Sequence, residues 1–308
     1  MKNLTFLFGF IILMASCDKV DDPYPEGGPT NDPGDGSEPF IGTLVIDTVI
    51  DPSLASGPVA KNILLEDYTG FKCTNCPEAH EVADDLRDTY GEQLVVMSLH
   101  VSESFAEPDP GTPFDVDLRT QDGEIYFPQF GISALPSGLI NRSAVDGFLP
   151  IAYENWGANV EALINDLSPV KLDIADVSFL NDTLSMNFSI EILEDLEGTY
   201  AFSINLVEKE VITAQDNAGT IILDYVQKEV FRGTLNGTFG TVFSTDPIDL
   251  DLHNVEGHYY LPGSFDNPDV PNPDIEIEDC EVIIYVYKQD LDNGVFDIIQ
   301  VVKEDVSL

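Results

Sequence analysis

Lys72-Cys73-Thr74-Asn75-Cys76-Pro77 is the stretch whose reading decides the fold. A buried-type strand holding Ile63, Leu64 and Leu65 precedes it. Behind it, Ala79, Val82, Ala83, Leu86 and Tyr90 recur at helical spacing, and Gly91 suits the left-handed residue that ends a helix. Two cysteines separated by two residues, at a strand-to-helix junction, form a candidate dithiol/disulfide pair. Further along, Phe130-Gly131-Ile132-Ser133-Ala134-Leu135-Pro136-Ser137 leads into another strand at 138–141. A second buried strand at 94–99 lies between the two pieces.

Strand, C-x-x-C, helix, strand and proline run, in that order, resemble a thioredoxin-like fold. The resemblance implies that Pro136 is cis and faces the cysteines. It also implies that the backbone of Leu135 meets an extended substrate segment as an added strand. Cys73 is expected at or just before the helix N-terminus, where the dipole, free N–H groups and the charge of Lys72 favour a thiolate. Cys73 then attacks, and Cys76, one turn inside the helix, resolves. Asp67, six residues before Cys73, stands where such folds keep a buried acid that assists proton transfer. Glu66 points to the other face of the strand.

The sequence departs from that pattern in two places. Lys72 replaces the usual aromatic residue before the first cysteine, with Phe71 one place earlier, and the proline follows the motif at Pro77. Three readings of the pair stay open: a redox-active dithiol, a structural disulfide, or a metal site. For the metal, Cys73, Cys76 and His80 supply three zinc-type ligands, since His80 shares a helical face with Cys76. No fourth ligand is evident, so neither metal nor organic cofactor is expected. His80 then reads as a surface or half-buried helix residue, and His100 as a strand end. Cys280 reads as a small buried hydrophobe. The Asp-rich loops at 266–269 and 272–274 read as turns.

Residues 102–129 are Pro- and Asp-rich, with a short helix expected near 114–121. A closing helix is expected at 151–167, with Trp156, Val160, Leu163 and Ile164 on its apolar side. After Pro169 the texture changes to short runs of alternating apolar and polar residues, at 170–174, 184–190, 200–206, 282–287 and 298–302. Turn residues such as Asp182 and Asn293-Gly294 separate them. This pattern predicts an antiparallel β-sandwich. A strand is expected at 41–50, and the sequence does not assign it to either domain. The expected layout is a thioredoxin-like α/β domain over 40–168 and an immunoglobulin-like, all-β sandwich over 169–308.

At the other end, a basic start and an apolar run over residues 4–14 form a secretory signal, too short for a permanent membrane helix. Ala15-Ser16-Cys17 resembles a bacterial lipobox, with Met14 at the variable position. Residues 1–16 are thus expected to be removed and Cys17 lipidated, anchoring the protein to a membrane. The Asp-, Pro- and Gly-rich stretch over 17–39 reads as a solvated tether. Net charge is −43, from 56 acidic and 13 basic residues. With no basic patch to neutralise phosphates, nucleic acid is excluded as a partner. A hydrophobic content of 43%, with 18 Phe and 11 Tyr, excludes a disordered acidic tail.

Taken whole, the chain resembles the Omp twenty-eight-related outer-membrane lipoproteins of Bacteroidetes. Four segments carry the resemblance: 62–77, Asp117-Leu118-Arg119-Thr120, 130–142 ending Leu139-Ile140-Asn141-Arg142, and Asp279-Cys280-Glu281 with the strand that follows. It implies an outer-membrane, lipid-anchored protein with the two-domain layout above. Two functions compete: thiol–disulfide exchange on exported proteins, or surface binding by a lipoprotein whose C-x-x-C is only a staple. Fold does not decide between them.

Overall fold

The structure is a computed structural model that describes residues 40–49, 57–144, 147, 149–244, 251–261, 275–290 and 294–308. The signal segment, Cys17, the tether, the Asp-rich loops and Asn293 lie outside the described residues. In chain order the first half holds β1 (Ile41–Val49), β2 (Val59–Ala60), β3 (Ile63–Thr69), α1 (Cys76–Tyr90), β4 (Leu94–His100) and α2 (Glu103–Ala106). It continues with α3 (Gln121–Gln129), β5 (Ser137–Ile140), α4 (Trp156–Leu163) and β6 (Leu167–Ser168). The second half holds β7 (Val170–Leu180), β8 (Thr183–Ile192), β9 (Thr199–Asn217), β10 (Thr220–Thr234), β11 (Thr241–Ser244), β12 (Leu252–Tyr260), β13 (Cys280–Asp290) and β14 (Val295–Asp305).

Every residue of β3 and β4 is buried, and each strand opens on an apolar run, Ile63 to Leu65 and Leu94 to Met97, as strands covered on both faces require. They pair in parallel from Ile63 with Leu94 to Thr69 with His100. β5 joins the other side of β3 antiparallel, with Ser137 opposite Tyr68. One face is closed by α1 and α4, where Ala79, Ala83, Trp156 and Val160 meet Ile63, Leu65, Val96 and Ile140. Gly138 is required there, because a Cβ would overlap the Trp156 indole.

The second half is antiparallel, and the chain as a whole is mostly β. A four-stranded sheet, β1-β12-β8-β7, packs on β9 and β13. Alternate residues of β8 (Leu184, Met186, Phe188, Ile190, Ile192) face Phe202, Ile204, Val282 and Ile284. Asn181 and Asp182, both at positive φ, make the tight β7–β8 turn. The strand left unassigned by the sequence, β1, pairs with β12 along its whole length.

The two halves share a sheet. Its order is β14-β13-β9-β10-β4-β3-β5, with β10 meeting β4 in parallel at Val230 and Ser98. The sheet curls until its ends touch. Asn62 bonds the Gln300 side chain and the Val301 carbonyl, and the Ile298 N–H donates to the Asn141 carbonyl at 2.9 Å. Inside the curl, under α3, lies a core that includes Tyr68, Tyr126, Phe130, Phe231, Tyr285 and Phe296. The described residues thus form one compact unit. No helix among them is long and apolar enough to cross a membrane.

Three local expectations are corrected. No helix forms at 114–118; the helix is α3, begun at Gln121 because the Thr120 hydroxyl accepts the Gly123 N–H at 3.0 Å. The closing helix is shorter than 151–167, and Leu167 is already paired with Ala60. Strands β10, β11 and β12 were not foreseen. Bulges break the alternation of β10, and the inward set of β12 includes His253 and Gly257, which interrupt the apolar pattern.

Candidate functional site

The chain leaves β3 at Thr69 and turns through Gly70 to Asn75 before α1 begins. Cys73 N–H donates to the Gly70 carbonyl at 2.9 Å, and Cys76 N–H to the Cys73 carbonyl at 3.3 Å. Cys76 is the first residue of the helix and Pro77 the second, a place where a missing N–H costs nothing. The helix therefore opens at Cys76, and Cys73 sits in the turn before it rather than at its tip. The two cysteines form a disulfide with Cα atoms 5.4 Å apart. Both are buried, Cys73 at 2% exposure and Cys76 at 0%.

Two layers flank this turn. On one side, Lys72 N–H donates to the Phe105 carbonyl at 2.9 Å, and the Phe71 ring stacks on Phe114. Gly70 has no Cβ because the Phe105 backbone occupies that space. Lys72 Nζ lies 3.3 Å from Asp109, so its charge is shared with an acid instead of facing the sulfurs alone.

On the other side lies an arm of the second half. Beyond Glu208, β9 leaves β13 and continues with β10 as a two-stranded ribbon. Asp216 N–H donates to the Phe71 carbonyl at 2.8 Å, and Ala218 N–H to the Thr74 carbonyl at 3.0 Å. The buried Gln215 amide donates to the Cys73 carbonyl at 3.1 Å and is itself held by Gln227. Lys228 pairs with Asp84 of α1, and Glu229 with Arg87.

The proline run enters from a third direction. Pairing of Ser137 with Tyr68 brings Pro136 to the end of β3 from which the chain runs into Cys73. The Leu135–Pro136 peptide is cis, and both residues are half-buried.

Beneath the disulfide the two acids of β3 part company. Glu66 faces the curled core and forms a bidentate pair with Arg142 at 2.6 and 2.8 Å. Arg142 also donates to the Tyr285 hydroxyl at 2.9 Å and lies over the rings of Phe130, Tyr126 and Tyr285. Asp67 faces α1. It is 1% exposed, and neither carboxyl oxygen has a hydrogen-bond partner among the described residues. Burial pushes its pKa up to about 8.

His80, on the same helical face as Cys76, reaches Asp67 at 3.7 Å. Its Nε2 bonds the Thr69 hydroxyl and its Nδ1 the Tyr225 hydroxyl of the arm, both at 2.8 Å. Burial lowers its pKa to about 4, so it is neutral near pH 7. His100, at the end of β4, is buried beside Gln227, and burial lowers its pKa to about 3. No group of three or more His, Cys, Asp or Glu side chains among the described residues is arranged to hold a metal ion. Cys280 is a free, buried thiol whose Sγ meets the Glu276 carbonyl, far from any titration near neutrality.

The arrangement brings Cys73, Cys76, Asp67 and His80 into one neighbourhood and puts the Pro136 loop at the same end of the sheet. Sequence reasoning missed Gln215 and Tyr225, because nothing in the chain marks the arm as a partner of α1. It also missed Arg142 as the partner of Glu66, although one basic residue among so many acids was a signal.

No family model matches the chain, and no curated protein sequence matches it. Among solved structures it is similar to HBP35 of Porphyromonas gingivalis, with a TM-score of 0.59 and 16% identity over 82% of this chain and 77% of that one. Protein AGR_C_4864 from Agrobacterium tumefaciens is matched at a TM-score of 0.48 and 14% identity, over 80% of this chain and 94% of that one. At this level of identity the chain shares a fold with HBP35.

Proposed function

We propose that this chain is an exported, lipid-anchored outer-membrane protein of the Omp twenty-eight-related kind, and that its cysteine pair performs thiol–disulfide exchange on exported proteins. In this reading a thioredoxin-like half carries the chemistry and an immunoglobulin-like sandwich follows it. Lipidated Cys17 ties the chain to the membrane. The fold shared with HBP35, a Bacteroidetes protein, supports a related family. The observation that carries the reading is Asp67, a buried carboxyl with no hydrogen-bond partner among the described residues, on the strand that runs into the disulfide. Evolution rarely leaves such a group unpaired without a use for its proton. Cys73 attacks, Cys76 resolves, Leu135 and Pro136 hold the substrate backbone, and Asp67 assists proton transfer.

A second reading has its own support. Near-complete burial of both cysteines favours a structural staple in a surface-binding lipoprotein. The deciding experiment is the reduction potential of the Cys73–Cys76 pair in the full chain, with Cys76→Ser as a trap for mixed disulfides. A potential in the range of known exchangers, with a trapped partner, supports exchange. A bond that resists physiological dithiols, with nothing trapped, leaves the staple.

A further inference from the structure

A line of polar groups runs from Asp67 to the arm. His80 Nε2 is bonded to the Thr69 hydroxyl at 2.8 Å and lies 3.7 Å from the Asp67 carboxyl, and His80 Nδ1 is bonded to the Tyr225 hydroxyl at 2.8 Å. A cavity of about 40 Å³ lies beside them, bounded by Asp67, His80 and Tyr225 within and by Asp84 and Lys228 toward the surface. That is room for one water, among polar partners. His80 lies one helical turn beyond Cys76, on the same face of α1.

We propose that His80 and Tyr225 are the proton route of the cysteine pair, carrying the proton between Asp67 and solvent, with its outlet supplied by the arm. The proposal rests on the exchange reading and adds to it two residues from outside the motif, one of them from the sandwich half. The step balances as follows. With Cys73 joined to a substrate sulfur, Cys76 Sγ attacks Cys73 Sγ. The Cys73–Cys76 bond forms and the Cys73–substrate bond breaks. Two electrons pass from the protein's dithiol to the substrate disulfide over the full cycle. Asp67 is protonated below about pH 8, so it first gives its proton up: His80 accepts at Nε2, where the Thr69 hydroxyl is also bonded, while giving up a proton from Nδ1 to the Tyr225 oxygen, and the Tyr225 hydroxyl proton passes out. The Cys76 proton then goes to the Asp67 carboxylate, which restores the resting acid, and the substrate leaves as a thiolate that takes a proton from solvent. Reduction of the disulfide runs the same route inward.

The physical setting suits this. Burial keeps His80 neutral, so it passes a proton through without holding it. Tyr225 is raised to about 12 by burial and the nearby acids, so its hydroxyl stays a donor. The charged and titratable groups that face the line are Glu81, Asp84 and Arg87 of α1, His100 of β4, and Lys228 and Glu229 of β10. Of these, Asp84 is paired with Lys228 and Arg87, and Glu229 with Arg87.

The test uses the full chain, reduced and then closed by hydroxyethyl disulfide in single turnovers at saturating disulfide, from pH 5.5 to 9. Tyr225→Phe and His80→Gln keep the shape of the site and remove the relay. Each is expected to slow closure roughly tenfold at pH 6.5, with the gap shrinking toward pH 9, where hydroxide takes the proton directly. Amide exchange of Asp216 and Ala218, which a loosened arm would speed, is expected to stay at the wild-type rate in both. Profiles of the two variants that superimpose on the wild type, while Asp67→Asn is slow, overturn the route and leave the exchange reading standing. Slowing accompanied by loss of Asp216 and Ala218 protection also overturns it, because the effect is then the arm's. A wild type that does not close at all overturns both.

Discussion

Asp67→Asn should make the protein more stable, by an amount that grows with pH. The carboxyl is held at about 8 against an ordinary value of 3.8, with burial the only cause. At about 1.36 kcal/mol per pH unit this is roughly 5–6 kcal/mol against the charged form in the fold. The direction follows from proton counting. Between pH 3.8 and 8 the folded chain keeps the Asp67 proton and the unfolded chain has lost it, so stability falls as pH rises, by about 1.4 kcal/mol per unit. Above pH 8 the loss is complete. An asparagine carries no such dependence. Its unpaired amide also costs something, but that cost is constant with pH and cancels when the gap between the two proteins is followed. From pH 5 to pH 8 the gap should widen by about 4 kcal/mol, less whatever relaxation or water entry softens the burial. Urea unfolding of wild type and Asp67→Asn at pH 5, 6, 7 and 8 measures it. A gap that stays level to within about 1 kcal/mol over that range means that Asp67 is solvated or paired, and the argument for its role fails.

Other outcomes follow from neighbouring groups. His80 and His100 are held neutral at about 4 and about 3, so the stability they contribute is full above pH 6.5 and drains away as pH falls toward those values; His80→Gln should flatten acid unfolding in that window. Glu66→Gln leaves Arg142 charged and only partly compensated in the curled core, and should cost about 3–5 kcal/mol by urea midpoint, whereas Glu66→Leu with Arg142→Met should cost less than either change alone. A single mutant within about 1 kcal/mol of wild type would count against a dry core there. Gln215→Ala strips the donor from the Cys73 and Gly70 carbonyls, and should raise the alkylation rate of reduced Cys73 about tenfold, for a loss of about 1.4 kcal/mol in docking. An unchanged rate would mean that the arm does not limit access.

Much of this site was legible because its signals are local. The cysteine spacing, the apolar run of β3, the helical spacing behind Pro77 and the turn at Asp182 each follow from residues close in sequence. Asp67 was legible as well, since strand alternation separates it from Glu66. The arm was not. Its residues meet the cysteine turn mostly through backbone groups, such as the N–H of Asp216 and Ala218, which carry no side-chain signature. The bulges of β10, with Glu229 at positive φ, also erase the two-residue period that marks a strand. The shared sheet escaped for a related reason: β10 meets β4 at one register position, Val230 with Ser98, and a composition break after Pro169 cannot reveal a pairing that spans it.

The arm also imposes an order in time. Gln215 lies 139 positions after Cys76, so a chain made from its N-terminus presents both cysteines well before their cover exists. An oxidant that reaches the pair at that stage meets it in the open, before the later half folds across it.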